Sequence, residues 1–267
     1  MVMRDQSANF RVLYIPHGGG PLPLLGHPGH QHLVTFLQNI AERLGRPEAI
    51  VVVSAHWEQS VPTITAGSSP SLIYDYSGFP PESYEIEYPA SGAPLLAEKI
   101  WSLLSANGVQ ARLDRGWGFD HGVFVPLKLI YPDASIPCVQ LSLIESLDPL
   151  AHIKIGQALK ELKNENILFL GSGFSFHNMR KFGQTTQDMN NIEFDQWLIK
   201  TLTDPDLSTR EVEELLVNWE EAPHARYCHP REEHLLPLHV CYGIAGKPAE
   251  VVFNNDILGK RATAFLW

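Results

Sequence analysis

Long apolar runs are missing from this sequence of 267 residues. No stretch reaches the roughly 18 apolar residues that a membrane-spanning helix needs, so no membrane span is expected. The opening segment carries Arg4, Asp5, Gln6 and Asn9 in place of an apolar run, and an export signal is not expected either. Cysteine is scarce. Cys138, Cys228 and Cys241 cannot all pair within the chain and show no Cys-x-x-Cys spacing, which argues against a disulfide framework and a zinc ribbon. A reducing, cytoplasmic setting fits that usage. Basic residues are outnumbered, 20 Lys+Arg against 30 Asp+Glu, for a formal net charge of −10. Neutralising a phosphate backbone needs the opposite balance, so nucleic acid is not an expected partner.

The common signature loops are absent as well. There is no Walker loop, no G-x-G-x-x-G after a strand, no G-x-S-x-G elbow and no H-E-x-x-H. Gly171-Ser172-Gly173-Phe174-Ser175 comes nearest to a nucleophile turn, but its serines are misplaced for the elbow. What is present is a chain 44% hydrophobic, enough for a real core, with no linker, repeat or composition break. One domain spanning 1–267 is expected.

Short β-branched runs alternate with longer segments of helical period, the pattern of an α/β fold with a central, mostly parallel or mixed sheet flanked by helices. The expected strands are 10–15, 49–54, 63–66, 110–113, 137–143, 167–171 and 250–254. The expected helices are 31–44, 93–106, 121–130, 151–164, 191–201, 208–219 and 231–244. Asn107-Gly108 ends the second helix, Asp148-Pro149 opens the fourth, and Pro230 falls at the first turn of the last. The runs at 49–54 and 167–171 are apolar without alternation, as central strands covered on both faces should be. Between Gly67 and Gly92 lies an irregular stretch with Tyr74, Asp75, Tyr76, Phe79, Tyr84 and Tyr88. So aromatic a loop is expected to serve binding.

The sequence is unusual in its 12 histidines. His17 stands where an apolar strand runs into Gly18-Gly19-Gly20, and open α/β sheets bind ligands at the carboxyl ends of their strands. His56 follows the run at 49–54, and His177 follows the glycine turn after 167–171. Any one of these could be a buried imidazole held by a carbonyl; three in the same arrangement favour a shared site. Asp120-His121 sits at an expected helix start, where Asp120 can be the N-cap, an orienting partner for His121, or both. In the segment 229–239, His229, His234 and His239 are spaced five apart, about 500° of helical turn, so not all three can face one ion if the segment is helical. Histidine nitrogens with one carboxylate suit Zn, or a non-haem Fe(II) whose coordination stays partly open.

With PHGGGP at 16–21, SAHW at 54–57, WGFDHG at 117–122, the turn ending in His177-Asn178 and HPREEHLLPL at 229–238, the chain resembles the class III (LigB-type) extradiol ring-cleavage dioxygenases, in the DOPA 4,5-dioxygenase branch. The resemblance covers most of the chain. It implies a mononuclear Fe(II), sometimes replaced by Zn(II), at the carboxyl edge of the sheet. It implies His17 and His56 as metal ligands and His234 as the third. His177 would be an acid/base facing the substrate that can also approach the metal, and His121 a hydrogen-bonding partner of substrate or oxygen. The wider class uses two histidines and a carboxylate, so Glu233, beside His234, is the alternative third ligand. The implied substrates are a small catechol and O2, with L-DOPA opened at the 4,5 position. For an amino-acid catechol, Arg180, Arg226 and Arg231 are the candidates for its carboxylate, and Tyr74, Tyr76 and Tyr227 for its ring. A zinc hydrolase using the same open site, or a structural zinc site, are the competing readings.

Overall fold

The computed structural model describes residues 11–183 and 187–267. Its strands are β1 (Arg11–Pro16), β2 (Ala49–Gln59), β3 (Thr63–Thr65), β4 (Arg112–Asp114), β5 (Cys138–Ile144), β6 (Ile167–Gly173), β7 (Glu250–Ile257) and β8 (Lys260–Leu266). The helices are α1 (Gln31–Leu44), α2 (Pro94–Ala106), α3 (His121–Ile130), α4 (Pro149–Leu159), α5 (Met189–Thr203), α6 (Thr209–Val217), α7 (Ala225–Cys228) and α8 (Leu236–Ala245). The strands form one sheet in the order β4-β3-β5-β2-β6-β1-β8-β7. The neighbours β5, β2, β6 and β1 are mutually parallel, whereas β3 runs against β5, β8 against β1, and β7 against β8. The mixed α/β architecture expected from the sequence is therefore present. Among the described residues no helix is long and apolar enough to cross a membrane. Phe10, expected to open the first strand, lies outside the described residues.

Strand β6 is buried at every position, and its successive side chains turn to opposite faces. At Gly171 an added Cβ would meet Pro237 and Cys241 of α8, while the Ser172 hydroxyl reaches the Gly122 carbonyl of α3. Helices thus cover both faces, which explains why the run at 167–171 lacks alternation. Local signals act where expected: Asp148 caps α4 by accepting from the Ala151 N–H, and Gly108 takes φ +75° just after α2.

Three expectations are corrected. The last helix begins at Leu236 rather than at residue 231. The His234 carbonyl accepts from Phe174 N and Tyr14 Oη, and the segment 231–235 makes only a single turn, with the Leu235 and Leu236 amides both bonded to Glu232 O (2.8 and 3.1 Å). Strand β2 does not stop at Ser54 but continues to Gln59, with five steps from Val53 to Glu58 matched by only two from Leu141 to Leu143 on β5. His56 rides on that irregularity rather than after the strand. Strand β8 is an addition to the expected set; its K-R-A-T-A-F-L run has little β-branching and is specified by pairing with the distant β1 and with β7.

Candidate metal centre at the carboxyl edge of the sheet

The parallel strands deliver histidines to one edge. His17 leaves β1 with its amide bonded to Gly173 O at the end of β6 (3.1 Å), and its side chain is buried. His56 projects from the irregular part of β2, His121 opens α3, and His177 follows β6. His234 precedes α8 and is held close to β6 because Gly173 carries no Cβ; one added there would lie 2.1 Å from His234 O. All five imidazoles line one cavity of about 310 Å³, at the small end of the ~300–1,000 Å³ range of small-molecule sites.

Hydrogen bonds fix how the rings present their nitrogens. Ser172 Oγ gives its proton to Gly122 O, so it can only accept from His17 Nδ1, 3.1 Å away. The carboxylate of Glu233 places Oε1 2.9 Å from His234 Nδ1 and 3.0 Å from His177 Nδ1. Asp75 Oδ1 accepts from both the backbone N–H and Nδ1 of His121 (3.0 and 2.8 Å), and Asp75 Oδ2 is 3.5 Å from His56 Nδ1. A carboxylate can only accept, so Nδ1 of His121, His177 and His234, like that of His17, carries the proton and Nε2 is left with its lone pair. The Nε2 atoms of His17 and His56 are 3.0 Å apart. The His234 ring centroid lies 5.2 Å from that of His17 and 4.9 Å from that of His56.

Lone pairs gathered in this way have no proton to share and repel unless a cation joins them. Burial, reinforced by the neighbouring imidazoles, pushes the pKa values of His17, His56 and His234 well below the ordinary histidine value, which keeps them neutral, the form able to bind a metal. Burial alone would raise Asp75 and Glu233, but their hydrogen bonds to His121 and His177 hold both carboxyls below the usual range. The separation of the two Nε2 atoms matches the ~3.0 Å expected for nitrogens ~2.1 Å from one ion at about a right angle.

The residues singled out in the sequence take different places around the cavity. Glu233 does not line the cavity; it lies behind His177 and His234 as their shared acceptor. Of the three histidines at 229–239 only His234 reaches the cavity. His229 bonds Ser175 O, and His239 bonds Leu235 O and Leu216 O. Asp120 does not orient His121 and makes no side-chain cap. It is buried between Ser54 Oγ (2.7 Å) and Gln140 Nε2, where desolvation pushes its carboxyl up to about 6. The partner of His121 is Asp75, which motif reasoning does not single out, although the aromatic loop that carries it stands out in the sequence.

None of Arg180, Arg226 and Arg231 lines the cavity. Arg231 forks onto Glu58 (2.6 and 2.6 Å), and Arg226 is held by Glu232 (2.6 Å) and Glu220. Tyr76 does line it, with its hydroxyl donated to Ser83 O, while Tyr74 and Tyr227 give their hydroxyls to Ile86 O and Asp188.

Comparison with known proteins identifies the family. Residues 12–266 match the family described as the catalytic LigB subunit of aromatic ring-opening dioxygenase. A protein of Hapsidospora irregularis called dioxygenase tasH is 38% identical over 96% of this chain and 85% of its own length. A 4,5-DOPA dioxygenase extradiol of Beta vulgaris is 36% identical over 91% of each chain, and one of Escherichia coli (strain K12) is 35% identical over 87% of this chain and 84% of its own. The crystal structure of an uncharacterized Escherichia coli K12 protein superposes with a TM-score of 0.76 at 28% identity, covering 96% of this chain and 99% of that one. A histidine-lined cavity at the sheet edge, in a chain matched almost end to end, makes this protein a member of the LigB family of class III extradiol ring-opening dioxygenases.

Proposed function

We propose that the protein opens a catechol ring with O2 at a non-haem Fe(II) held by His17, His56 and His234, a site that can also take Zn(II). The observation that carries this reading is the 3.0 Å approach of the Nε2 atoms of His17 and His56, with the His234 ring about 5 Å from both and its Nδ1 tied to Glu233. When bound, Fe(II) supplies the redox coupling between catechol and O2 and a template for both.

The protein's own groups handle protons and position. His177 faces the cavity with Nδ1 tied to Glu233, so its Nε2 is free to take a proton from a catechol hydroxyl and return it to the opened product. His177 also lies near enough to His234 to approach the metal when no substrate is bound. His121, held by two hydrogen bonds to Asp75, offers Nε2 as an acceptor for substrate. Phe174, Phe79 and Tyr76 furnish aromatic walls that exclude water from the ring. The relatives' names point to L-DOPA within the substrate range. Its 4,5-cleavage gives seco-DOPA, the precursor of betalamic acid. Three free, buried cysteines fit a cytoplasmic setting.

The test is to load the protein with Fe(II) anaerobically, add a catechol and admit air. This reading predicts O2 uptake in step with a coloured ring-opened product. A zinc hydrolase predicts hydrolysis without O2, and a structural zinc site neither; either result would replace the proposal.

A further inference from the structure

Part of the cavity wall is bare backbone: Gly18, Gly19 and Gly20, with φ +91° at Gly18 and +55° at Gly20. A loop with so little side chain is held chiefly by bonds to its main chain. One of these comes from a residue outside the cavity. The Gly19 N–H donates to Nε2 of His30 (3.0 Å), and the ring lies flush against Gly18, where an added Cβ would stand 3.0 Å from His30 Cδ2. An imidazole that accepts at Nε2 is neutral and carries its proton on Nδ1. Burial, helped by His27, pushes the pKa of His30 down to about 4, in keeping with that form. His30 Nδ1 is buried and has no partner among the described residues, and the side chain makes no cap bond to α1. An apolar side chain would fill the same space without stranding a polar atom, so what the imidazole adds is the acceptor for Gly19.

The turn that carries His30 also ties a second part of the wall. His27 Nδ1 accepts from Gly29 N (3.1 Å) and His27 O from His30 N (3.0 Å), which closes the turn on itself. Gly29 O then accepts from the amide of Leu258 (3.1 Å), a cavity residue at φ +50° whose carbonyl takes the Gly183 N–H (2.9 Å). The metal ligand beside the glycines is anchored independently: the His17 amide bonds Gly173 O, and its ring bonds Ser172 Oγ. Loosening Gly19 should therefore disturb the space next to the metal and leave the metal in place. Resting on the catechol-opening reading above, we propose that His30 is a positioning residue for substrate: by accepting the Gly19 N–H it sets the glycine wall, and with it the room for the catechol ring, while standing outside the cavity itself.

The experiment compares His30→Leu, which fills the space without an acceptor, with His30→Gln, whose amide oxygen can take the Gly19 N–H. Metal content, and kcat and KM for catechol and L-DOPA, are measured on the Fe(II)-loaded proteins. His30→Leu should raise KM by about tenfold, with kcat within about threefold and metal content near wild type, and His30→Gln should bring KM back to within about threefold of wild type. An unchanged KM in His30→Leu, a kcat and metal content that fall in step with it, or a His30→Gln no better than His30→Leu would overturn the inference. A measurement on the wild type alone stands beside these, whatever the stability of the variants. Nitrogen-15 NMR of the Zn(II)-loaded protein should find His30 protonated on Nδ1 and the Gly19 amide protected from hydrogen exchange. A proton on Nε2, or a freely exchanging Gly19 amide, would overturn the inference while leaving catechol cleavage intact. Absence of O2 uptake by the wild type with both substrates would overturn both.

Discussion

The imidazole of His177 lies flat on that of His234, ring centroids 3.3 Å apart and planes 17° from parallel, and both rings turn Nδ1 to the same oxygen of Glu233. The two rings share an acceptor, yet His234 is buried and His177 is partly open to the cavity. Their roles should separate on mutation. His177→Ala is expected to keep most of its metal and lose about 10²–10⁴-fold in kcat, the range for removal of a general acid/base. His17→Ala and His56→Ala should lose the metal itself. Metal content by mass spectrometry, read beside turnover, decides; equal metal loss in all three variants would contradict the division.

Asp75 joins His56 to His121 across the opposite side of the cavity. It acts through those rings as a positioning residue. Asp75→Ala should cost about 10–100-fold in metal affinity or kcat/KM, the usual effect of removing a carboxylate behind a ligating histidine. Asp75→Asn should recover part of the loss through its remaining acceptor oxygen. Wild-type kinetics and metal affinity in Asp75→Ala would show that the contact has no bearing on the site.

At Gly173 the end of β6 meets His234 backbone to backbone. Gly173→Ala would set its Cβ 2.1 Å from His234 O, so the ligand-bearing segment must move. Expected outcomes are about 1–3 kcal/mol of lost stability in urea unfolding, together with weakened metal binding. Gly116→Ala is the control, since the nearest atom to its added Cβ is 3.6 Å away. If Gly173→Ala behaves like Gly116→Ala, the close approach does not constrain the site.

His152, on α4 and away from the metal centre, donates from Nδ1 to Asp148 O (2.7 Å) and accepts at Nε2 from Ile144 N (3.1 Å). Burial is the main cause that pushes its pKa down to about 4. Between pH 6.5 and 4 the unfolded chain takes up a proton that the folded one refuses, so stability falls as pH drops through this window. The full difference is about 3 kcal/mol. In His152→Gln the stability curve should be shallower across that window by about 1.4 kcal/mol per pH unit. Parallel curves for the two proteins would contradict the assignment.

Much of this arrangement is legible in the amino-acid sequence. Helix α1 and helix α3 fall on the expected bounds, because apolar period and flanking residues agree locally. The histidines can be grouped because parallel strands bring their carboxyl ends to one edge, so His17 and His177 reveal themselves by standing after apolar runs. Asp75 cannot be found in this way. It meets His121 across 46 residues, and nothing beside it in the chain marks that contact. The start of α8 is hidden for a similar reason: the His234 carbonyl is taken by Phe174 and Tyr14, partners invisible to a local periodicity. Strand β8 depends on pairing with β1, which lies at the other end of the chain.

The claim on which this account depends is that His17, His56 and His234 share one metal ion. Anomalous scattering at the iron edge, from crystals of the Fe(II)-loaded protein, tests it directly. The account predicts one strong peak about 2.0–2.2 Å from the Nε2 atoms of all three residues. A peak centred on other ligands, or iron that leaves these three imidazoles uncoordinated, would contradict it.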